Sequence, residues 1–459
     1  MKFNHQIDHS IRESPGPSAL KTNRRNFLAT GFGGWLAATT FSSGWKPLRA
    51  EESPSGPAPQ KTRIAVTVNG ERVRTVPAQF AVVPWGRGAP IGRTQDGVLY
   101  AGFSTEGPGL ESILLASSDE GRTWRPKRLD WWQFFDHTLA RDSSRWLFFD
   151  NRWALRSDSF GILRDGTLLW AFHQAADGCG VAGLEAECYV IRSQDGGRSW
   201  QGPFRVDKAP FPSIGNSSNR MTELTDGTVL WPQRLGATST RAKEIRQAAE
   251  TSLQPWTETP FTASYVLRST DGGRSWSERT PLPDWSFETT LMRLHSGRLI
   301  AAIRYQPSFW SAEMMEEQLH ARPSLHEDGF QPSKRVYLAD SEDAGHTWTH
   351  FRPVSRTVNG PTDLALGQAH GELSQLSDGT LILTTDHRYP RHEAQVLARI
   401  SHDEGRTWSA EVYHLTRAGG SVLGSSIKGY GTGYASSVVL EDDTIVTMTG
   451  AGTCLRWRV

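Results

Sequence analysis

The chain has 459 residues, and its 50 Lys and Arg almost cancel 49 Asp and Glu, which removes the basic footprint of a nucleic-acid-binding protein. Apolar residues make up 37%; counting glycine in and tyrosine out brings this to about 45%, the range of ordinary globular domains rather than of disordered or many-span membrane chains. Glycine (44) and tryptophan (18) are both abundant, which points to a turn-rich, all-β protein.

Near the start, Asn23-Arg24-Arg25-Asn26-Phe27-Leu28 sets a twin arginine before an apolar stretch that Gly31, Gly33 and Gly34 interrupt. That stretch is shorter than the ~20 continuous apolar residues that span a bilayer. Residues 1–50 therefore read as a twin-arginine export signal cleaved near Ala50. The expected location is periplasmic or extracellular, with no stable membrane span after signal removal. Residues 51–61 read as a Pro-rich linker, and 62–459 as one domain. In an oxidising compartment Cys179 and Cys188 could bridge, leaving Cys454 free. The cysteines show no metal-ligand spacing, and no His-Glu-x-x-His pair or phosphate-binding glycine loop occurs, so no metal or cofactor is expected.

Within the domain an octapeptide, Ser-x-Asp-x-Gly-x-Ser/Thr-Trp, recurs five times with its aspartates at 119, 195, 271, 343 and 403. Its chemistry is that of a turn: the carboxylate accepts backbone N–H groups, glycine supplies a positive φ, and the tryptophan packs between sheets. One carboxylate per copy is too few for calcium. Interleaved with the octapeptides are six short hairpin turns, beginning at Asp96, Asp165, Asp226, Ser296, Asp378 and Asp442, most of them Asp-Gly between apolar runs. Six units over residues 51–459 allow about 68 residues each, the size of a propeller blade with its loops.

The fold expected is therefore an all-β, six-bladed β-propeller. Its sixth octapeptide is missing because the ring closes there by pairing N- and C-terminal strands, with residues 62–68 as the N-terminal candidate and 454–459 as the last strand. Residues 240–252 and 311–321 read as short helices in long loops, where function usually sits.

These octapeptides resemble the Asp-box (BNR) repeats of the sialidase, or neuraminidase, superfamily of six-bladed propellers. The resemblance covers nearly the whole chain after the linker. It implies a glycoside hydrolase acting on terminal sialic acid or a related acidic sugar of a glycan or sialoglycoconjugate. Because Asp-boxes also occur in non-catalytic propellers, two alternatives stand beside it: a same-fold glycosidase acting on another sugar, and a propeller that only binds carbohydrate or protein.

Register places the candidate site. Eight residues before each hairpin turn lie Gly88, Ser157, Ser218, Glu288, His370 and Tyr434, all expected at one mouth of the channel if no bulge shifts the face. Eight residues after the turns lie Arg234 and Arg304, and two residues further on in the fifth blade lies Arg388. Guanidinium groups bind a carboxylate through planar forks, so a substrate with a carboxylate beside the reacting carbon is implied. A neutral tyrosine suits that substrate as nucleophile better than a carboxylate, and needs a base beside it.

In Phe287-Glu288-Thr289-Thr290-Leu291, in Arg304, and in Tyr434-Ala435-Ser436-Ser437 the chain resembles the sialidase segments with that Tyr/Glu pair. The resemblance gives Tyr434 the role of nucleophile, Glu288 that of its base, and Arg304, Arg388 and Arg234 that of the carboxylate clamp. Arg74, in Arg74-Thr75-Val76-Pro77, is an approximate match to the family's first arginine, with Arg87 as a substitute; His370 is a further substrate contact. Glu106, in Thr105-Glu106-Gly107-Pro108, is the candidate general acid, with Glu111 nearby.

Overall fold

The computed structural model describes residues 48–49, 63–68, 71–75, 79–82, 90–104, 112–129, 154–175, 187–211, 214–215, 219–236, 262–283, 285–305, 335–354, 368–387, 395–409, 411–416, 434–449 and 453–459. The chain divides into two units, 1–45 and 46–459, and every described residue belongs to the second. The export signal, the linker and both expected helices lie wholly or almost wholly outside the described residues, which contain strands and turns but no helix.

Six antiparallel sheets form the blades. From inside outward, blade 1 is Ile91–Arg93, Leu99–Ser104, Ser112–Ser117 and Thr123–Arg128, with Leu48–Arg49 added at its edge. Blade 2 is Ala154–Ile162, Leu168–Ala175, Glu187–Ser193 and Gln201–Arg205; blade 3 is Thr222–Glu223, Val229–Gly236, Thr262–Ser269 and Arg279–Pro281. Blade 4 is Ser286–Arg293, Leu299–Tyr305, Arg335–Ser341 and Thr349–Pro353; blade 5 is Gln368–Gln375, Leu381–His387, Gln395–Ser401 and Glu411–His414. Blade 6 takes Ser436–Val439, Ile445–Thr449 and Thr453–Trp457 from the C-terminal end and its outer strand, Gln79–Val82, from the N-terminal end.

The closing strand is thus not residues 62–68. Arg63–Val68 instead forms a hairpin with Glu71–Thr75, which runs parallel to the outer strand of blade 5. Asn69-Gly70, between these two strands, is the dipeptide that favours such a hairpin.

Six separate cores hold the ring, one between each pair of neighbouring blades. Leu169, Trp231 and Leu267 belong to the core between blades 2 and 3, and Ile300, Leu338 and Leu383 to that between 4 and 5. Ile91, Leu99, Val446 and Cys454 join blade 6 to blade 1, so the circle is complete. Cys188 is a free thiol in the core of blades 2 and 3, and burial, followed by Asp158, pushes its pKa well up. The expected bridge from Cys188 to Cys179 is therefore not made; Cys179 lies outside the described residues.

The turn end of the blades repeats one design. In each octapeptide the serine hydroxyl donates to the aspartate and accepts the glycine N–H, as in Ser269 to Asp271 and Gly273 to Ser269, both 2.8 Å. The aspartate also accepts the N–H and hydroxyl of Ser275, at 2.9 and 2.6 Å. Partial burial raises the pKa of Asp271, but these hydrogen bonds outweigh it and bring the group down to about 2. Five of the six hairpin turns carry glycine at φ between 84° and 93°; the sixth puts Asp443 there at 61°. A 460 Å³ cavity between the turns of blades 1 and 2, lined by Asp96, Tyr100, Arg164 and Arg198, opens at this end of the strands.

Candidate active site

Inner strands run from the channel mouth toward the turns, and three of them bulge in their mouth-side half, blade 2 at Asp158 and blades 4 and 5 close to where they begin. In blade 4 the pairing shifts between Ser286 and Thr289, so Phe287 and Glu288 together oppose Arg304. In blade 5 it shifts between Gln368 and Gly371, so Ala369 and His370 together oppose Asp386. Such bulges re-aim side chains without disturbing the rest of the ladder.

The bulge in blade 4 brings three sequence candidates together. The Tyr434 hydroxyl donates to Glu288 Oε1 at 3.1 Å, and Arg304 Nη1 donates to Glu288 Oε2 at 2.7 Å. Glu288 is 2% exposed, Arg304 6% and Tyr434 7%, so the carboxyl group is bound on both oxygens and almost cut off from water. Removing either partner of such a pair leaves an uncompensated buried charge. Arg234 joins the cluster from blade 3: its guanidinium lies 4.2 Å from the centre of the Phe287 ring, and that of Arg304 lies 5.4 Å from the same ring. Two cations on one aromatic face the same region of the mouth.

His370 packs beside Tyr434, with ring centres 5.4 Å apart, and its Nε2 is 3.9 Å from Glu372 Oε2. Tyr434 has φ of 60°. For a bulky non-glycine residue this left-handed backbone costs about 1–3 kcal/mol and persists only where its surroundings impose it.

One layer deeper the sequence reading missed a second set. Six residues before the turns of blades 3, 4 and 5 stand Arg220, Thr290 and Glu372, the same side of each strand as the count of eight. Arg220 reaches across the channel to Glu372 and to the Ser437 carbonyl at 2.8 Å, and Thr290 donates to the other Glu372 oxygen at 3.1 Å. Since blades 3 and 6 face one another across a six-blade ring, this arginine bars the channel beneath Tyr434.

Other candidates fall elsewhere. Ser157 packs against its neighbours, donating to the Gly102 carbonyl at 3.1 Å and accepting from Trp170 Nε1 at 2.9 Å. Arg74 belongs to Glu71–Thr75 at the outer edge of blade 5. Four strand spacings, about 19 Å, separate that strand from the inner strand of the blade. Glu106, Glu111, Arg87 and Arg388 lie outside the described residues, as do Gly88 and Ser218.

No family model and no curated protein matches the chain. Solved structures do. A protein of unknown function from Dyadobacter fermentans is 17% identical, with a TM-score of 0.52 over 83% of this chain and 98% of its own. A Hadza microbial sialidase is 14% identical, with a TM-score of 0.55 over 82% of this chain and 66% of its own length. The intramolecular trans-sialidase from Ruminococcus gnavus, in complex with oseltamivir carboxylate, is 9% identical, with a TM-score of 0.52 over 82% and 94%. The chain has the six-bladed fold of the sialidases. At these identities the likeness is one of architecture, which many activities share.

Within this sialidase-fold propeller, the unshifted count of eight in blade 5 reaches Asp386, the position that carries Arg234 and Arg304 in blades 3 and 4. Asp386 is fully buried. Its Oδ1 accepts the His370 backbone N–H and its Oδ2 that of Tyr434 at 3.4 Å. Looking two residues further for an arginine passed over it. The described residues hold no cluster of His, Cys, Asp and Glu arranged for a metal, and no helix long and apolar enough to cross a membrane.

Proposed function

We propose that this sialidase-fold propeller is an exported, retaining exo-glycosidase that hydrolyses a terminal acidic sugar, sialic acid or a close relative, from a glycan. The observation that carries the reading is the hydrogen bond from the Tyr434 hydroxyl to Glu288, whose other oxygen accepts from Arg304. Export through the twin-arginine route follows from the leader sequence.

In the first step the Tyr434 oxygen attacks the anomeric carbon while its proton passes to Glu288 Oε1. The bond to the leaving oxygen breaks, and that oxygen takes a proton from an acid; Glu106 is the candidate carried over from the sequence. In the second step water, losing its proton to the same acid, displaces the tyrosyl oxygen, which recovers its proton from Glu288. A phenol nucleophile is neutral in the ground state, so it does not repel a substrate carboxylate held nearby by Arg304 and Arg234. Arg388 is the candidate for a third clamp residue. Arg220, bonded to Glu372 and to the Ser437 carbonyl, crosses the channel beneath Tyr434, which suits a substrate entering by its chain end and supports exo action.

Asp386 in the blade 5 slot favours one variation on this reading. There the count of eight supplies an acid where blades 3 and 4 supply arginines, and the third arginine candidate, Arg388, stands two residues later; the second reading is a same-fold glycosidase acting on another acidic sugar. Parallel assays with fluorogenic sialosides and uronosides separate the two.

Tyr434→Phe tests the mechanism. It is expected to lower turnover at least about 10³-fold while leaving the far-UV circular dichroism that of the parent. A 2-fluoro analogue of the substrate should leave a covalent mass on the peptide that contains Tyr434. Normal turnover by the phenylalanine variant removes Tyr434 as nucleophile.

A further inference from the structure

We infer that Asp386 is a positioning residue that fixes the backbone of Tyr434 so that its hydroxyl meets Glu288; its catalytic consequence rests on the reading of Tyr434 as nucleophile. Asp386 spends both carboxylate oxygens on main-chain donors, the N–H groups of His370 and Tyr434. His370 is the third residue of the inner strand of blade 5, and Tyr434 stands two residues before that of blade 6. One buried side chain therefore ties the starts of blades 5 and 6 together at the mouth.

The need for such a tie is local. Tyr434 lies two residues before the first described ladder pair of its blade, Ser436 with Met448. Its φ of 60° is a conformation a tyrosine leaves unless something holds it. A charged carboxylate accepts strongly at both oxygens at once. An asparagine in its place would accept at one and present N–H to the other, leaving one buried donor opposed by another donor. Relaxation of Tyr434 toward negative φ would swing its Cα–Cβ bond, and the hydroxyl at the far end of the ring would leave Glu288. A misplacement of about 1 Å at a reacting group is worth about 10²-fold in rate.

The slot itself argues for this division of labour. In blades 3 and 4 the equivalent position carries an arginine whose guanidinium lies against Phe287 at the mouth. In blade 5 the side chain bonds the backbone of its own bulge and of the next blade instead. The change from cation to anion converts a position that faces the mouth into one that shapes it.

The test compares Asp386→Asn in two backgrounds, the parent chain and Tyr434→Gly. Glycine adopts φ near 60° unaided. If Asp386 holds that conformation, Asp386→Asn lowers the melting temperature in the parent and by less than half as much in the glycine background. Equal shifts in both backgrounds overturn the proposal. In the parent, kcat on a fluorogenic acidic glycoside is expected to fall about 10²-fold with KM changed less than about threefold; a kcat within threefold of the parent's, from an enzyme whose Tyr434→Phe variant is dead, also overturns it. Should Asp386→Asn not fold, Asp386→Glu, which keeps the charge but moves both oxygens by one methylene, is read in the same way. A Tyr434→Phe variant with parental turnover removes the nucleophile reading alone, and the two-background melting comparison still decides whether Asp386 sets the backbone at 434.

Discussion

At the turn end of the blades, five aspartates do the same thing five times: Asp119, Asp195, Asp271, Asp343 and Asp403 each accept from a serine two residues before and from a residue four after. At the mouth end, Glu288, His370 and Tyr434 occupy equivalent positions and no two of them do the same thing. Every carboxylate of the first group is bound within its own octapeptide. The carboxylates at and below the mouth, Glu288, Glu372 and Asp386, accept hydrogen bonds from residues 16 to 152 positions away in the chain. Repetition marks the end of the strand that builds the scaffold, and departure from repetition marks the end that is free to do chemistry.

That contrast can be broken from the mouth first. Glu288→Gln keeps the shape but cannot take the Tyr434 proton, so kcat should fall by about 10²–10⁴ on a fluorogenic acidic glycoside, with circular dichroism unaltered. A variant as fast as the parent would move the base elsewhere. Arg304→Met has a mixed effect. It removes one arm of the clamp and strands Glu288 as a buried charge, so urea unfolding should show a loss of about 3–5 kcal/mol together with a raised KM; a loss confined to KM would mean that Glu288 finds another partner.

The smallest effect is expected at the turn end. Asp271→Asn should lower stability at neutral pH by about 1 kcal/mol, as the loss of a capping carboxylate does, and leave kcat untouched. The sign of the pH dependence follows from its pKa, held at about 2 in the folded chain against about 3.9 in an unfolded one. Its contribution is complete above pH ~4 and drains away as the pH falls toward 2. The asparagine variant should therefore lose less of its melting temperature than the parent between pH 5 and pH 2. A parallel decline in both would remove Asp271 as a source of acid lability.

The same contrast explains how much the sequence disclosed. Asp-boxes and Asp-Gly turns are legible because each is closed within eight residues, and counting from them located Glu288, Arg304 and Tyr434 in one register. The bulges at Glu288 and His370 leave no mark in composition, and the count survived them because the extra residue falls at the start of the strand. Asp386 went unread although the arithmetic lands on it, because its partners are main-chain groups, which have no signature of their own. Arg220 was overlooked for a different reason: it lies one layer below the positions counted, and its partner Glu372 is 152 residues away. The closing strand was placed on residues 62–68 because the alternation there is strong, whereas Gln79–Val82 is short and is recognisable only through its pairing with Thr453–Trp457.

That pairing bears on how the protein is made. The sheet that begins beside Tyr434 draws its outermost strand from near the amino-terminal end of the ring and the other three from the last two dozen residues. During synthesis the first of these must wait, unpaired, while the ribosome produces five whole blades. A nascent chain cut short before residue 453 would expose an open sheet edge and lack a finished pocket. The ring would then close in one late event, so prematurely terminated products would be open to proteolysis.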